Sequence, residues 1–205
     1  MGKLEANKQQ KLTSLLNTAF NLFTTQGVTK TSIAEISQKA GIAKGTFYLY
    51  FKDKYDIRNR LISHESSKLF KNAVADLEEF SIEKDEQLGF EEKIIFIINH
   101  IVDELNSNQT LLTFISKNLS WGIFKNSLGN ANDDDISFAD IYNRLVSRDD
   151  YEIDSPEIML YMIIELVSST CYSSILYEEP VPIEQLKPYI YDTIKHIIRR
   201  HVTPL

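Results

Sequence analysis

At 205 residues and 43% hydrophobic content, the chain is long enough to bury a substantial core, and its length suits one small and one larger domain. Five prolines and seven glycines are too few for a many-turned β protein, and the single cysteine, Cys171, excludes an intramolecular disulfide and suits a reducing cytoplasm. The net charge of −7 is split along the chain: residues 1–60 hold ten Lys/Arg against four Asp/Glu, a balance of +6, and the rest twelve against twenty-five, a balance of −13. A basic head on an acidic body is what one phosphate-contacting module joined to a non-contacting one would show. No apolar run approaches the ~18 residues of a membrane helix, and residues 1–10 are too polar for a signal peptide. A cytoplasmic protein with no membrane partner is expected.

Lys3 to Lys11 reads as a polar, basic lead-in. From Leu12 the apolar residues Leu12, Leu15, Leu16, Ala19, Phe20 and Phe23 form a helical stripe that Gly27 ends. Thr31 to Phe51, TSIAEISQKAGIAKGTFYLYF, then reads as two short helices joined by a tight turn. Ser32 with Glu35 three residues on is a capping-box pair, and Ile33, Ile36 and Ala40 give the helix one apolar face. Gly41 stands where a helix end favours a residue that tolerates positive φ. A second helix begins near Lys44 with Phe47 and Phe51 inward, which turns Lys44, Thr46, Tyr48, Leu49 and Tyr50 elsewhere. Helix, glycine turn, helix is the geometry that lays a recognition helix in the DNA major groove.

Over TSIAEISQKAGIAKGTFYLYFKDKYDI the chain closely resembles the TetR family of bacterial transcriptional regulators. The agreement comprises the hydroxyl residue opening the helix, the spacing of Ile36, Ala40 and Gly41, then Lys44 to Tyr48, Tyr50-Phe51, and Lys54 at the head of a long helix. The rest resembles the family only in length and helix content. Ala43 departs from the pattern, lying where the family often has a capping serine. The resemblance implies an all-α fold: a three-helix helix-turn-helix DNA-binding domain over residues 1–53 and a larger helical ligand-sensing and dimerisation domain over 54–205. It further implies that Lys44 and Gly45 approach bases, that Tyr48, Tyr50, Lys54 and either Thr31 or Ser32 hold phosphates, and that Thr46 does either. Leu49 has no hydrogen-bond capacity and suits a thymine methyl. Lys8 and Lys11 read as solvated side chains, with phosphate contact, by the same analogy, the alternative.

Asp53 is a plausible N-cap for a helix running roughly from Lys54 to Phe80, the link between the two domains. Ser81 to Leu88 reads as a charged connector. Helices are expected from Phe90 to Leu105 and from Gln109 to about Asn126, a loop over Ser127 to Asp135, and a shorter helix from Ile136 to Arg148. Pro156 suits the first turn of a helix to about Tyr177 that is apolar nearly all round. A last helix spans Ile183 to about Val202, with Pro188 placing its regular part near that residue. Pairing of these last two helices with their copies would make a four-helix homodimer interface.

Phe96, Phe114, Trp121, Phe124, Tyr142 and Tyr161 are the candidate walls of an apolar pocket for a small hydrophobic inducer. Asp133, Asp134 and Asp135 read as helix-capping charge, and His64, His100, His196 and His201 lack metal-ligand spacing with one another or with Cys171. No catalytic constellation is present, so neither an enzyme nor a cofactor is expected. The resulting expectation is a regulator, most simply a repressor, that binds a palindromic double-stranded operator as a homodimer and is released by a small, largely hydrophobic ligand. The alternative is a helix-turn-helix-derived regulator that acts through protein partners without operator binding.

Overall fold

The computed structural model describes residues 3–84, 88–118 and 151–204. Over these the regular structure is helical apart from two three-residue strands, and the chain divides into two compact units, Met1–Glu65 and Ser66–Leu205. In chain order the described elements are α1 (Lys3–Gln26), α2 (Ile33–Lys39), α3 (Lys44–Phe47), α4 (Lys54–Lys84), α5 (Phe90–Ser107), α6 (Gln109–Asn118), β1 (Tyr151–Ile153), α7 (Pro156–Tyr177), α8 (Ile183–His201) and β2 (Val202–Pro204). Helix α4 begins in the first unit and ends in the second.

In the first unit, α1 starts at Lys3 and not at Leu12, a correction to the expected lead-in. Lys, Glu, Ala and Gln are strong helix formers, so the polar segment continues the apolar one although residues 5–11 are all exposed. Leu15, Ala19, Leu22 and Phe23 are buried from α1, Ile36 from α2, Phe47 from α3, and Ile57, Leu61 and Ile62 from the start of α4. These residues form a small helical core of the kind the period of 3.6 specifies. Gly27 at φ 85° and Gly41 at φ 68° take left-handed conformations at the ends of α1 and α2, where a side chain would be strained.

In the second unit, Ala73, Val74 and Leu77 of α4 pack on Ile97 of α5, with Phe70, Leu88, Phe96 and Ile101 around them. Helix α4 runs on to Lys84 where a connector was expected from Ser81; helix-compatible Ile82, Glu83 and Lys84 carry no stop signal. Helix α5 opens on Gly89, whose N–H donates to the Glu92 carboxylate at 2.8 Å. Helix α6 is described to Asn118, and the expected bend near Ser120, the loop at Ser127–Asp135 and the helix at Ile136–Arg148 lie outside the described residues.

Helix α7 begins at Pro156 as expected. It corrects one expectation, since by length and composition it is apolar enough to cross a membrane, although only 28% of its apolar window is buried in the single chain. Glu165 and the serines after it break the uninterrupted run without lowering the average far enough. Helix α8 is regular from Ile183, so Pro188 lies inside it, again a correction. Its missing N–H leaves one helical bond unmade within the second turn, where the rest of the helix tolerates it.

Helix α8 is tied to α5 by polar bonds. Lys187 donates to Asp103 and to Glu184, Asn99 donates to Asp103 at 2.9 Å, and the Tyr191 hydroxyl donates to Asn99 at 2.5 Å. Burial pushes the Tyr191 phenol up to about 12 and the Cys171 thiol up to about 11, so both stay protonated at neutral pH and the thiol is unreactive. The strands were not foreseen. β1 and β2 pair antiparallel, Glu152 opposite Thr203, and His201 Nδ1 lies 2.7 Å from the Asp154 carbonyl beside them.

Candidate nucleic-acid interface

Ser32 caps α2, its hydroxyl accepting the Glu35 N–H at 3.1 Å while its own residue stays exposed. Glu35 is held from the side: the Gln26 amide donates to it at 2.8 Å and Lys39 pairs with it at 3.3 Å. The Gln26 bond, before the Lys39 charge, keeps the Glu35 carboxyl below its ordinary range. Thr31 differs. It is 1% exposed and its hydroxyl donates inward to the Gly27 carbonyl at 2.8 Å, so of the pair Thr31 or Ser32 the structure leaves only Ser32 facing solvent.

Helix α3 is a single turn, Lys44–Phe47, and Ala43 at its N-cap makes no side-chain cap bond, as the sequence implied. Backbone bonds from Leu49 to Thr46 and from Tyr50 and Phe51 to Phe47 then continue the coil as turns. Phe47 and Phe51 are buried with ring centroids 5.5 Å apart, and this pair sets the rotation of the segment. The opposite side presents Lys44, Gly45, Tyr48 at 51% exposure and Leu49 at 81%, with Thr46 half-buried. A surface turn that exposes a tyrosine and a leucine beside a lysine offers apolar contact, hydrogen bonding and positive charge together.

Tyr50 is half-buried; its ring lies 6.5 Å from that of Phe51 and its hydroxyl donates to the Lys8 carbonyl at 3.4 Å. Lys54, expected at a phosphate, is bonded within the protein. Its ammonium donates to the carbonyls of Val28, Thr29 and Thr31 at 2.9, 2.9 and 3.1 Å, so its three N–H groups are already engaged. No pattern of residues announces this arrangement, because the carbonyls converge only through the path of residues 28–31.

Residues 15–61 match the family model described as bacterial regulatory proteins, tetR family. Over these residues the chain has the DNA-binding domain of TetR-family regulators. Two curated relatives agree: the HTH-type transcriptional regulator AcrR of Shigella flexneri, 40% identical over 27% of this chain, and the fatty acid metabolism regulator protein of Bacillus subtilis, 28% identical over 38%. The aligned segments span 26% and 40% of those relatives' own lengths. Among solved structures, the fatty acid degradation regulator FadR from Bacillus halodurans superposes with a TM-score of 0.60 at 15% identity, covering 89% of this chain and 96% of its own. The FadR from Bacillus subtilis, solved with stearoyl-CoA, superposes at 0.53 with 16% identity, covering 89% and 96%. At such identities the likeness extends the TetR fold to the second unit and carries no ligand with it.

Three of the candidate pocket residues of that unit, Phe96, Phe114 and Tyr161, lie among the described residues. Phe96 is half-buried and packs against the core, its ring 5.3 Å from that of Phe80; Phe114 is 4% exposed; Tyr161 is 43% exposed on α7. Trp121, Phe124 and Tyr142 lie outside the described residues. Among the described residues no group of three or more His, Cys, Asp or Glu is arranged to hold a metal ion.

Proposed function

We propose that this protein is a TetR-family, sequence-specific DNA-binding regulator, a repressor that leaves a palindromic operator when a small, largely hydrophobic ligand binds its second unit. The observation that carries the reading is the one-turn helix α3: Phe47 and Phe51 anchor it from inside while Lys44, Gly45, Tyr48 and Leu49 face outward. Lys44 and Gly45 approach base edges, Thr46 lies at the margin, Leu49 meets a thymine methyl, Ser32 and Tyr48 hold phosphates, and Tyr50 does so by exchanging its long 3.4 Å bond to the Lys8 carbonyl for one to a phosphate oxygen. A two-fold dimer presents two such segments to successive major grooves, so half-sites lie about one helical turn apart, or a multiple of it.

The dimer forms through α7 and α8. Ile158, Tyr161 and Tyr177 of α7 and Tyr189 of α8 are exposed at 55%, 43%, 59% and 73% in the single chain. Large apolar side chains gathered on the two last helices are what a self-complementary interface requires. The same pairing accounts for the low burial of α7 without a membrane, in keeping with a cytoplasmic regulator. The ligand acts by binding the DNA-free conformation better, by roughly 1–3 kcal/mol for ordinary coupling. A relative named for fatty acid metabolism and a fold neighbour solved with stearoyl-CoA make acyl compounds the first class to screen.

Titration of two variants against a panel of related duplexes tests the reading. Tyr48→Ala is expected to weaken binding to every sequence alike, and Leu49→Ala to change which half-site is preferred. Identical half-site preference in the wild type and Leu49→Ala would remove base reading from that residue.

A further inference from the structure

We infer that Lys54 is a positioning residue for DNA recognition, and not a phosphate contact: it fixes the start of α2 against the end of the recognition segment. The inference rests on the DNA-binding reading above. An ammonium has three N–H donors, and those of Lys54 meet the carbonyls of Val28, Thr29 and Thr31 at 2.9, 2.9 and 3.1 Å. None is left for a phosphate oxygen. Three carbonyl dipoles aimed at one point repel one another unless a cation sits there, so Lys54 is what makes this path of the α1–α2 connector favourable.

The geometry gives the clamp its consequence. Thr31 is followed directly by Ser32, the exposed cap of α2, and Thr31 is itself fixed by its hydroxyl bond to Gly27 and by the Gln26 amide at 3.3 Å. At the other end, Lys54 follows Phe51 by three residues, and the Phe51 ring packs on Phe47 beneath the outward side chains of α3. One ammonium therefore joins the residue before the α2 cap to the residues after the recognition turn. It sets the distance between Ser32 and the segment Lys44–Leu49, which a DNA groove must match at both points.

Lys54→Arg separates the two roles. Arginine keeps the charge and would keep a phosphate contact, but its N–H groups are spread over a planar fork and cannot place one nitrogen among three carbonyls. Lys54→Met removes both functions. Both variants and the wild type are titrated, as full-length protein checked for folding by circular dichroism, against the duplex the wild type selects from random DNA and against a scrambled duplex, over a range of salt. Positioning requires that both variants lose about tenfold in affinity for the selected duplex, the size of one lost base match, while scrambled-duplex affinity and the salt slope stay at wild-type values.

Wild-type discrimination in Lys54→Arg, with a salt slope shallower by about 0.9 in Lys54→Met, identifies a phosphate contact and overturns the inference. An equal loss on both duplexes, or no loss in either variant, overturns it as well. If Lys54→Met does not fold, Lys54→Arg alone decides. A wild type that selects no sequence overturns the DNA-binding reading and this inference with it, whereas a selective wild type with a selective Lys54→Arg overturns only this one.

Discussion

A Cβ added at Gly45 would meet no heavy atom within 4 Å, and the residue has an ordinary helical position on the exposed side of α3. Nothing inside the protein therefore requires glycine there. Alanine is a better helix former by about 1 kcal/mol, so Gly45→Ala is expected to leave thermal stability unchanged or slightly raised. If the backbone approaches a base edge, the same methyl group obstructs it, and affinity for the selected duplex falls about tenfold, the scale of one lost base contact. Opposite signs in melting and binding would locate the need for glycine in the complex; unchanged binding would remove Gly45 from the interface. Ser32 and Thr31 make the complementary point. Adjacent hydroxyl residues look alike in a sequence, but Ser32 caps α2 outward while Thr31 bonds back to Gly27, and only the path of the connector distinguishes them.

The helices were legible where local chemistry sets them. Ser32 with Glu35, Gly27, Gly41 and Pro156 each mark an end that the structure places within two residues. Misreadings came where an element depends on something distant or on the sum of weak preferences. The segment 3–11 joins α1 because all of its residues but Asn7 are good helix formers, and Pro188 stays inside α8 because one missing bond does not outweigh the burial of Ile183, Ile190 and Ile194 on either side. The β1–β2 ladder pairs residues some fifty positions apart, and three-residue strands carry too little alternation to be seen. At this scale the apolar face of α7 is the testable feature. Tyr161→Glu, at a residue 43% exposed, sets a carboxylate in the proposed dimer seam. Its desolvation costs several kcal/mol when unpaired. Light scattering at micromolar concentration is expected to give a dimer mass for the wild type and a monomer mass for the variant; a wild-type monomer would contradict the α7–α8 interface.

For the whole molecule, the division of charge is the feature that composition alone conceals. A net −7 chain would be repelled by DNA as a uniform sphere, but +6 over residues 1–60 against −13 elsewhere leaves a head that attracts phosphates and a body that does not. On the proposed reading, binding through that head releases counterions, so affinity for any duplex falls as salt rises, and the outward residues of α3 separate one sequence from another. The most direct measurement is selection of bound duplexes from a random pool by the purified chain, followed by titration of the enriched sequence across salt concentrations. The account expects a palindrome with half-sites about one helical turn, or a multiple of it, apart, bound more tightly than a scrambled duplex and less tightly as salt rises. A pool that emerges with no sequence enriched over its input would contradict it.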